Sequence, residues 1–406
     1  MPAPLVSVLV PAWNAGRTIT RALDSVLSDP DANVQVVVVD DASTDDTTAV
    51  VEAIAARDPR VELVRSPANS GPSAARNLGL PRLRGEWMTF LDSDDRLLPG
   101  GLAALVGAAT STDALAVVGQ RVWSDGTRTW ITGLYDQPDI RRAGRKSLVA
   151  NPGLMFYASG TGKLFHRSII EGLVFEGRVL GDQPWTLRAL LRAGDRIEVI
   201  EDVVYEWDRP AAGSADSSIT SRKQGSASLA AESVRVAIGA FRDVCAEADR
   251  ALEDPGARRI VAIGYATRLV RADFAGAVER AVTSADPAAA ELFHALTAWV
   301  RSIPAEVVEG VPAIAVKLLA PPLRRWGGLS ADARSAVIGL VRALPPEVAG
   351  TRTATPWPWT ARWLVRSFGI LPPSVAGLLV GAAVGVIRLA RRLRAAIGGG
   401  TRRTSG

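Results

Sequence analysis

The stretch EWMTFLDSDD (residues 86–95) passes from an apolar segment directly into three carboxylates, Asp92, Asp94 and Asp95. Like charges this close repel one another and resist burial, so a positive group, a bound cation or an exposed cleft must compensate them. The apolar part has the composition of a strand that is buried on both faces. The sequence therefore predicts a functional site where this strand ends.

Three similar apolar runs come earlier in the chain, at residues 5–13, 34–41 and 61–67, and each is followed by a segment with helical spacing of its apolar residues. Strands that alternate with helices predict a parallel, doubly wound sheet, in which ligands bind beyond the carboxyl ends of the strands. Polar residues follow all four strands at those ends. They are Pro11–Asn14, Asp40–Ser43, Asn69–Gly71 and Asp92–Asp94.

The composition limits the chemistry available to the chain. With 406 residues, two or three domains are expected, and 48% hydrophobic with 22% charged residues indicates a globular protein. A single cysteine, Cys245, excludes a disulfide within the chain and favours a reducing compartment. One cysteine and two histidines argue against a zinc site of the usual kind, so any metal should be a hard cation with oxygen ligands.

Asp92 and Asp94 are two residues apart, which puts both carboxylates on one face of an extended segment, with Ser93 on the other. Mg²⁺ or Mn²⁺ typically binds one or two carboxylates together with phosphate oxygens, and it then stabilises a diphosphate leaving group. The alternative is a solvated, Asp-rich turn that caps the next element. The position after a buried strand, beside three other polar clusters, favours the metal.

Four blocks, VSVLVPAWN, VVVVDDASTDDT, NSGPSAARNLGL and FLDSDD, resemble in order and spacing the family 2 glycosyltransferases with the GT-A fold. The resemblance covers roughly residues 5–210. It implies a Rossmann-like, mostly parallel sheet and an inverting enzyme that uses a nucleotide-diphosphate sugar. We therefore predict an α/β GT-A domain over residues 1–226, a mainly helical region over 227–350 and a basic tail over 351–406.

The resemblance also implies roles for individual residues. The base and ribose of a donor, expected to be a UDP-sugar, would contact Pro11, Ala12, Asn14 and Asp41. Asn69, Gly71, Arg76 and Ser93 would complete the nucleotide pocket, although Arg76 could equally form an ordinary structural ion pair. Asp94 would bind Mn²⁺ or Mg²⁺, Asp92 would lie close to the ribose or the metal, and Asp95 would cap the following element.

The family uses a general base that is commonly the Asp of a Glu-Asp pair opening a helix. The segment GDQPWTLRALL has Gly181 in place of that Glu and makes Asp182 the candidate base, with helix capping as the alternative. GDQPW is similar to the EDQPF-like segment of wall teichoic acid glycosyltransferases. The loop SGTGKLF (159–165) fails the P-loop pattern at Tyr157 and Leu164, which leaves an acceptor-site loop or a plain turn.

The predicted function is therefore inverting, metal-dependent transfer of a hexosyl or N-acetylhexosaminyl group to a hydroxyl of a cell-surface glycan or polymer. A catalytically silent sugar-nucleotide-binding module that recruits partners at the membrane is the alternative from another class. A nucleotidyltransferase would need a Gly-rich, basic loop after the first strand, and PAWNAGRT is a poor one.

The tail from residue 351 to 406 contains nine arginines and no acidic residue, whereas residues 1–350 carry a formal charge of −4. With Trp357, Trp359 and Trp363 it is typical of a segment that binds an anionic membrane surface or an acidic polymer, and no nucleic-acid partner is predicted. A core helix with a solvated basic end is the alternative. The N-terminal residues lack a basic leader, so we expect a cytoplasmic protein, with peripheral attachment at the inner face of the plasma membrane.

Overall fold

The computed structural model describes residues 5–28, 32–133, 135–177, 181–208, 227–284, 286–311 and 314–345. The first part of the chain alternates strands with helices, as the apolar runs predict. The elements are β1 (Val6–Ala12), α1 (Ile19–Leu27), β2 (Val34–Asp40), α2 (Thr47–Ala55), β3 (Val61–Arg65), α3 (Pro72–Gly79) and β4 (Trp87–Phe90). All residues of β1 and β2 are buried, which explains their nearly continuous Val and Leu content.

The following segment adds six strands and four helices to the same region. They are β5 (Arg96–Leu97), α4 (Gly101–Ser111), β6 (Ala116–Ser124), β7 (Thr129–Trp130), α5 (Pro138–Arg141), β8 (Gly144–Lys146), β9 (Lys163–His166), α6 (Arg167–Ile170), α7 (Asp182–Ala193) and β10 (Ile197–Asp208). All ten strands form one sheet with the order β3-β2-β1-β4-β9-β6-β10-β5, with β7 beside β6 and β8 beside β10.

Strand direction decides which residues meet at the edge of the sheet. β1 pairs in parallel with β2 and β4, β2 with β3, and β6 with β10. β9 runs antiparallel to both of its neighbours, β4 and β6. Lys163, its first residue, pairs with Val118 of β6, and Thr161, two residues earlier, forms a bridge with Phe90 at the end of β4. The mixed, mostly parallel sheet confirms the predicted fold class.

Residues 196–209 alternate in a way that predicts two paired strands, and this prediction is wrong. Ile197–Asp208 form the single strand β10, which pairs with β6 along its length and has register shifts between Val199 and Tyr205. Glu201, Asp202 and Val203 are exposed at this irregularity, which gives the segment the appearance of a turn.

The second part of the described chain is helical, as its composition predicts. The helices are α8 (Ala227–Ala251), α9 (Pro255–Arg268), α10 (Ala275–Thr283), α11 (Ala289–Ser302), α12 (Ala305–Glu309), α13 (Ala320–Arg324) and α14 (Ala331–Ala343). Two π-helical segments, Leu269–Phe274 and Ile314–Leu319, connect them. Among the described residues, no helix is both long and apolar enough to cross a bilayer.

Two compact units divide the described residues. Residues 5–208 and 239–264 form the first, and residues 227–238 and 265–345 form the second, with the gaps given above. The expected linker at 210–226 and the basic tail at 351–406 lie outside the described residues.

Candidate active site

The polar side chains that the sequence singles out lie together at the carboxyl ends of the parallel strands. β1, β2 and β4 end there in Ala12, Asp40 and Phe90. Phe90 forms an isolated bridge with Thr161, two residues before β9 begins. Beyond β9, Arg121 of β6 and Tyr205 of β10 are paired in register at the same edge. His166, at the other end of β9, pairs with Trp87 and therefore lies away from these residues.

Asp41 fastens the loop after β3 to the end of β2. Its buried carboxylate accepts hydrogen bonds from the backbone N–H groups of Ser70 (3.0 Å) and Gly71 (2.7 Å), and its own N–H donates to the carbonyl of Ala12 (2.8 Å). Gly71 has φ = 90°, a conformation that favours glycine. The structure thus brings Asp41, Ala12 and the Asn69–Gly71 loop together.

Asn14 makes a second connection between the first two strands, just after Pro11 and Ala12 at the end of β1. Its side-chain oxygen accepts a hydrogen bond from the Thr44 N–H (2.8 Å), and its backbone N–H donates to Ser43 Oγ (2.9 Å). Asn14 adopts φ = 49°, which an Asn tolerates better than most residues. The predicted nucleotide residues of β1 and β2 therefore share one set of loops.

Residues 92–95 form a tight turn, closed by the Asp95 N–H donating to the Asp92 carbonyl (3.1 Å). The expected extended segment is replaced because β4 already ends at Phe90. The carboxylates of Asp92 and Asp94 nevertheless remain close. Burial and, after it, the charge of Asp92 raise the pKa of Asp94 to about 6. Ser93 is half-buried between them.

The positive group that compensates the acidic turn is Arg76 of α3. Its Nη2 donates to Asp92 Oδ1 at 2.8 Å, with side-chain exposures of 11% for Arg76 and 30% for Asp92. The guanidinium carbon lies 5.9 Å from the Phe90 ring centre and 5.6 Å from that of Phe175. The expected ion pair is therefore present, and it lies beside the predicted nucleotide pocket.

The prediction that Asp95 caps the following element is wrong. Asp95 is 1% exposed, and its carboxylate accepts hydrogen bonds from Tyr205 Oη (2.7 Å) and the Asp208 N–H (2.9 Å) of β10. Burial, followed by the charges of Asp94 and Asp92, raises the pKa of Asp95 well above its usual range. Asp95 therefore ties the acidic turn to β10, while Gly100 caps α4.

Arg21 is a further cation at this turn that sequence reasoning missed. Its Nη2 donates to the backbone carbonyl of Asp94 (2.6 Å) and also to the carboxylate of Asp208. Arg21 is on α1 and Asp208 is 187 residues further along the chain, so no local pattern connects them.

Asp182 is the first residue of α7 and is half-buried. The preceding Gly181 packs tightly, because a Cβ there would lie 2.4 Å from Ser73 Oγ of α3 and 2.6 Å from the Glu176 carbonyl. Trp185, one turn further on, is fully buried and stacks on Phe175 at 4.8 Å. These contacts fix the start of α7 against α3, the helix that carries Arg76.

Arg121 and Lys163 form a second feature of the site that the sequence did not reveal. They are 4% and 1% exposed. Arg121 donates to Ser159 Oγ through Nη1, and Lys163 Nζ donates to the Ser159 carbonyl (2.7 Å). Burial, followed by the charge of Arg121, lowers the pKa of Lys163 well below its usual range, and the charge of Asp182 acts in the opposite direction. The only sequence signal was the SGTGKLF segment, which contains Lys163 and supplies Ser159 as the hydrogen-bond partner of Arg121.

The turn offers oxygen ligands of the kind that Mg²⁺ and Mn²⁺ prefer. In the part of the chain that the structure describes, Asp94 has no ion-pair partner, so its half-buried carboxylate is available to a cation. No group of three or more His, Cys, Asp or Glu side chains in that part is arranged to hold a metal ion. The residues present therefore fit a cation that takes its other ligands from a bound diphosphate or water.

A Rossmann-like, mostly parallel sheet with an acidic turn after its fourth strand, followed along the chain by a helical region, is typical of the GT-A class of fold. The family model Glycosyl transferase family 2 matches residues 7–174.

Curated relatives match about a quarter of the chain. The succinoglycan biosynthesis protein ExoO of Rhizobium meliloti is 44% identical over 121 residues, which are 28% of this chain and 34% of that protein. The putative teichuronic acid biosynthesis glycosyltransferase TuaG of Bacillus subtilis is 40% identical over 93 residues, 23% of this chain and 37% of that protein. The chain thus spans about a third of the length of these relatives.

Among solved structures, the 1–349 fragment of S. aureus TarS has the same fold over a larger part of the chain. The similarity has a TM-score of 0.63 at 19% identity, and it covers 82% of this chain and 90% of TarS 1–349. The same fragment in complex with UDP-GlcNAc gives a TM-score of 0.63 at 20% identity, with the same coverage of both chains.

Proposed function

We propose that this protein is an inverting glycosyltransferase that moves a sugar from a nucleotide-diphosphate donor to a hydroxyl group of a glycan or polymer acceptor. The observation that carries the proposal is the meeting of the Asp41 loop, the Asp92–Asp95 turn and the start of α7 around helix α3, within a family 2 domain. Glycosyl transfer needs a pocket for the donor, groups that stabilise the leaving diphosphate and a base for the acceptor hydroxyl. These three parts of the site must lie side by side.

The donor is a UDP-sugar with a hexosyl or N-acetylhexosaminyl group. Pro11, Ala12, Asn14 and Asp41 surround the base and ribose, with Asn69, Gly71 and Ser93 beside them. Arg76 holds Asp92 toward the nucleotide. The TarS complexes with UDP-GlcNAc and with UDP support a uridine diphosphate donor in this fold.

Asp94 and Asp92 would hold Mn²⁺ or Mg²⁺, and such a cation supplies charge stabilisation to a departing diphosphate. The two carboxylates themselves orient toward the donor through the turn, the Arg76 ion pair and the hydrogen bonds of Asp95 to β10. These contacts hold Asp92, Asp94 and Asp95 together in the turn. Among the described residues, Asp94 forms no ion pair, so its carboxylate remains available to a cation.

Asp182 acts as the general base. It accepts the proton of the acceptor hydroxyl while the hydroxyl oxygen forms a bond to the anomeric carbon, and the bond from that carbon to the diphosphate oxygen breaks. The electron pair leaves with the nucleotide diphosphate, and a single displacement inverts the configuration. General-base help of this kind is typically worth about 10²–10⁴-fold in rate.

The acceptor belongs to a cell-surface glycan or polymer, and the reaction takes place in the cytoplasm or at the inner face of the plasma membrane. The named relatives act in succinoglycan and teichuronic acid biosynthesis, which supports this class of acceptor. The basic tail, which would provide the membrane attachment, lies outside the described residues.

The test is UDP release from a panel of UDP-sugars with Mn²⁺. Asp182→Asn should lower turnover by about 10²–10⁴-fold and leave UDP binding unchanged, because it removes only the base. Asp94→Ala should abolish the stimulation by Mn²⁺. Asp24→Asn, on an exposed position of α1, is the matched control and should behave as the wild type.

Equal turnover of wild type and Asp94→Ala would reject the assignment of the acidic turn. A wild-type protein that binds UDP but releases none from any nucleotide sugar would instead support the silent binding module.

A further inference from the structure

Arg121 and Lys163 are two buried basic residues, and neither forms an ion pair with any residue that the structure describes. Burial, followed by the charge of Arg121, lowers the pKa of Lys163 well below its usual range. Cations in such surroundings are normally paired, because burying an isolated charge is costly. The positive charge of the Arg121 guanidinium is therefore unexplained by the fold.

Unsatisfied polar atoms lie in the same place. Arg121 Nε and the hydroxyl of Tyr157 are both buried and have no hydrogen-bond partner. Most buried polar atoms in proteins are satisfied, and exceptions point to a bound group or a functional role. Ser159, which accepts hydrogen bonds from both Arg121 and Lys163, is half-buried, so the cluster is next to solvent.

Aromatic rings enclose the Arg121 guanidinium. Its central carbon lies 4.1 Å from the ring centre of Tyr135, 4.4 Å from that of Tyr157 and 4.5 Å from that of Trp207. Tyr135 and Trp207 are half-buried, and Trp207 is supported by stacking on Trp123 at 4.1 Å. The rings hold the cation without cancelling its charge.

The position along the sheet separates this cluster from the nucleotide. The predicted nucleotide residues are on β1, β2 and the turn after β4, whereas Arg121 is on β6, two strands beyond β4 in the sheet order. Two strand spacings correspond to about 10 Å. The charge of Asp182, the first residue of α7, acts on Lys163. A ligand here would therefore lie on the acceptor side of the acidic turn.

We propose that Arg121 and Lys163, framed by Tyr135, Tyr157 and Trp207, form a subsite for an anionic group, phosphate or carboxylate, carried by the sugar acceptor. This inference rests on the proposed function. Arg121 recognises the anion with its planar guanidinium, Lys163 adds an N–H donor behind it, and the aromatic faces contact the adjoining sugar ring. The acceptor is thus an anionic glycan, with the reactive hydroxyl held toward Asp182.

The experiment measures binding of three probes to the full chain by calorimetry, with UDP and Mn²⁺ saturating so that the donor side is filled. The probes are inorganic phosphate, D-glucuronate and D-glucose, the last being the neutral match to glucuronate. Phosphate and glucuronate should bind and glucose should not. Arg121→Met and Lys163→Met should each weaken binding of the anions by about tenfold or more. Arg128→Met, with a side chain that is 78% exposed, should leave it unchanged.

Three results would overturn the subsite: no binding of either anion to the wild type, unchanged binding in Arg121→Met, or displacement of both anions by UDP. The last result, together with a tenfold loss of UDP affinity in Arg121→Met, would assign the cluster to the donor diphosphate. UDP binding also reports on folding, and Arg121→Lys, which keeps the charge, serves if Arg121→Met does not fold. If the wild type binds no UDP, the proposed function is refuted. Titrations of phosphate and glucuronate without UDP then still test whether the anion subsite exists.

Discussion

Arg76 stands at the centre of the candidate site because it meets both the acidic turn and the aromatic core. Its guanidinium lies beside Phe90 and Phe175 and donates to Asp92. Phe90 and Phe175 both contact Trp185 of α7, the helix that begins at Asp182. One side chain therefore links the region that is predicted to hold the leaving group with the region that carries the candidate base.

Replacing Arg76 by Met should destabilise the protein and impair catalysis together. The ion pair with Asp92 is largely buried, and its loss leaves the Asp92 carboxylate without its ion-pair partner. We expect the free energy of unfolding to fall by about 1.5–3 kcal/mol, and UDP release to fall at least about tenfold. Urea unfolding and the UDP-release assay measure the two effects.

The control for this prediction is Arg82→Met, which removes an exposed arginine that is 3.7 Å from Glu62. It should change neither quantity measurably. If Arg76→Met unfolds at the wild-type urea concentration and releases UDP normally, Arg76 has no role in holding the acidic turn.

The close packing around Gly181 leaves no room for the Glu that commonly precedes the base in the family. Any side chain at this position would meet the Glu176 carbonyl at 2.6 Å, so the backbone would have to move. Gly181→Ala should therefore lower the free energy of unfolding by about 1–3 kcal/mol and reduce UDP release by displacing Asp182. Gly181→Glu should be worse, although it restores the residue type of the family.

Gly107→Ala on α4 is the matched control, because a Cβ there meets nothing within 4 Å. It should keep full activity and unfold at the same or a slightly higher urea concentration. A Gly181→Glu variant that is as active as the wild type would show that the tight packing at this position does not constrain α7.

The sequence located the site residues whose positions in the fold follow from local sequence patterns. Asp41 and Asp92 come directly after apolar strands, and parallel strands deliver their carboxyl ends to one edge. Arg21, Arg121 and Lys163 were not located, because their positions depend on how β9 and β10 pair with β6. That pairing is long-range and includes an antiparallel strand that no local signal announces.

At the scale of elements, α7 is fixed by a buried carboxylate on α8. Glu247 is 3% exposed and binds three arginines: Arg192 (2.8 Å), Arg250 (2.8 Å) and Arg188 (3.4 Å). Arg188 and Arg192 are on α7, so Glu247 joins residues 239–264 to the strand-containing part of the first unit. This contact determines the direction of the helix that starts with Asp182.

The stabilisation from Glu247 should depend on pH in a defined direction. Burial acts to raise its pKa, but the hydrogen bonds and charges of Arg192 and Arg250 outweigh it and lower the pKa below the ordinary value of 4.5. The unfolded chain thus binds the proton more readily than the folded one. The contribution is complete above pH 4.5 and is lost as the pH falls through the lower pKa of the folded state.

Glu247→Gln should therefore lower the free energy of unfolding by about 1.5–3 kcal/mol at pH 7. The difference from the wild type should shrink as the pH falls below 4.5, because the wild-type carboxylate is then protonated as well. Urea unfolding across this pH range measures it, with Glu253→Gln, an exposed position near the end of α8, as the control. A difference that stays constant down to the acid limit would exclude the ionised Glu247 as its source.

Helices and strands were predictable from the sequence over most of the first half of the chain. Whether residues 196–209 contain one strand or two was not. Two short strands and one bulged strand have the same alternation of apolar and polar residues. The choice was decided by pairing with β6 along the whole length and with β8 and β5 at the two ends. Such partners are distant in sequence, so periodicity alone gives no information about them.

At the scale of the whole molecule, charge is distributed unevenly along the chain. Residues 1–350 carry a formal charge of −4, whereas residues 351–406 carry nine arginines and no acidic residue. A basic segment with tryptophans is attracted to anionic lipid, and each Arg near the surface contributes about 1 kcal/mol at physiological ionic strength. An enzyme that modifies a lipid-linked or surface polymer would gain from this attachment.

The full chain should therefore bind vesicles that contain anionic phosphatidylglycerol more tightly than neutral phosphatidylcholine vesicles, and added salt should weaken the binding. Replacing Arg391, Arg392 and Arg394 together by Gln should weaken it by roughly a hundredfold, since three such contributions are lost. The matched control replaces three exposed arginines of the first unit, Arg57, Arg82 and Arg84, by Gln and makes the same change in net charge. Sedimentation with vesicles measures all three proteins. If both triple variants bind vesicles equally weakly, net charge alone explains the effect. If the tail variant binds as tightly as the wild type, the tail does not contribute to membrane attachment.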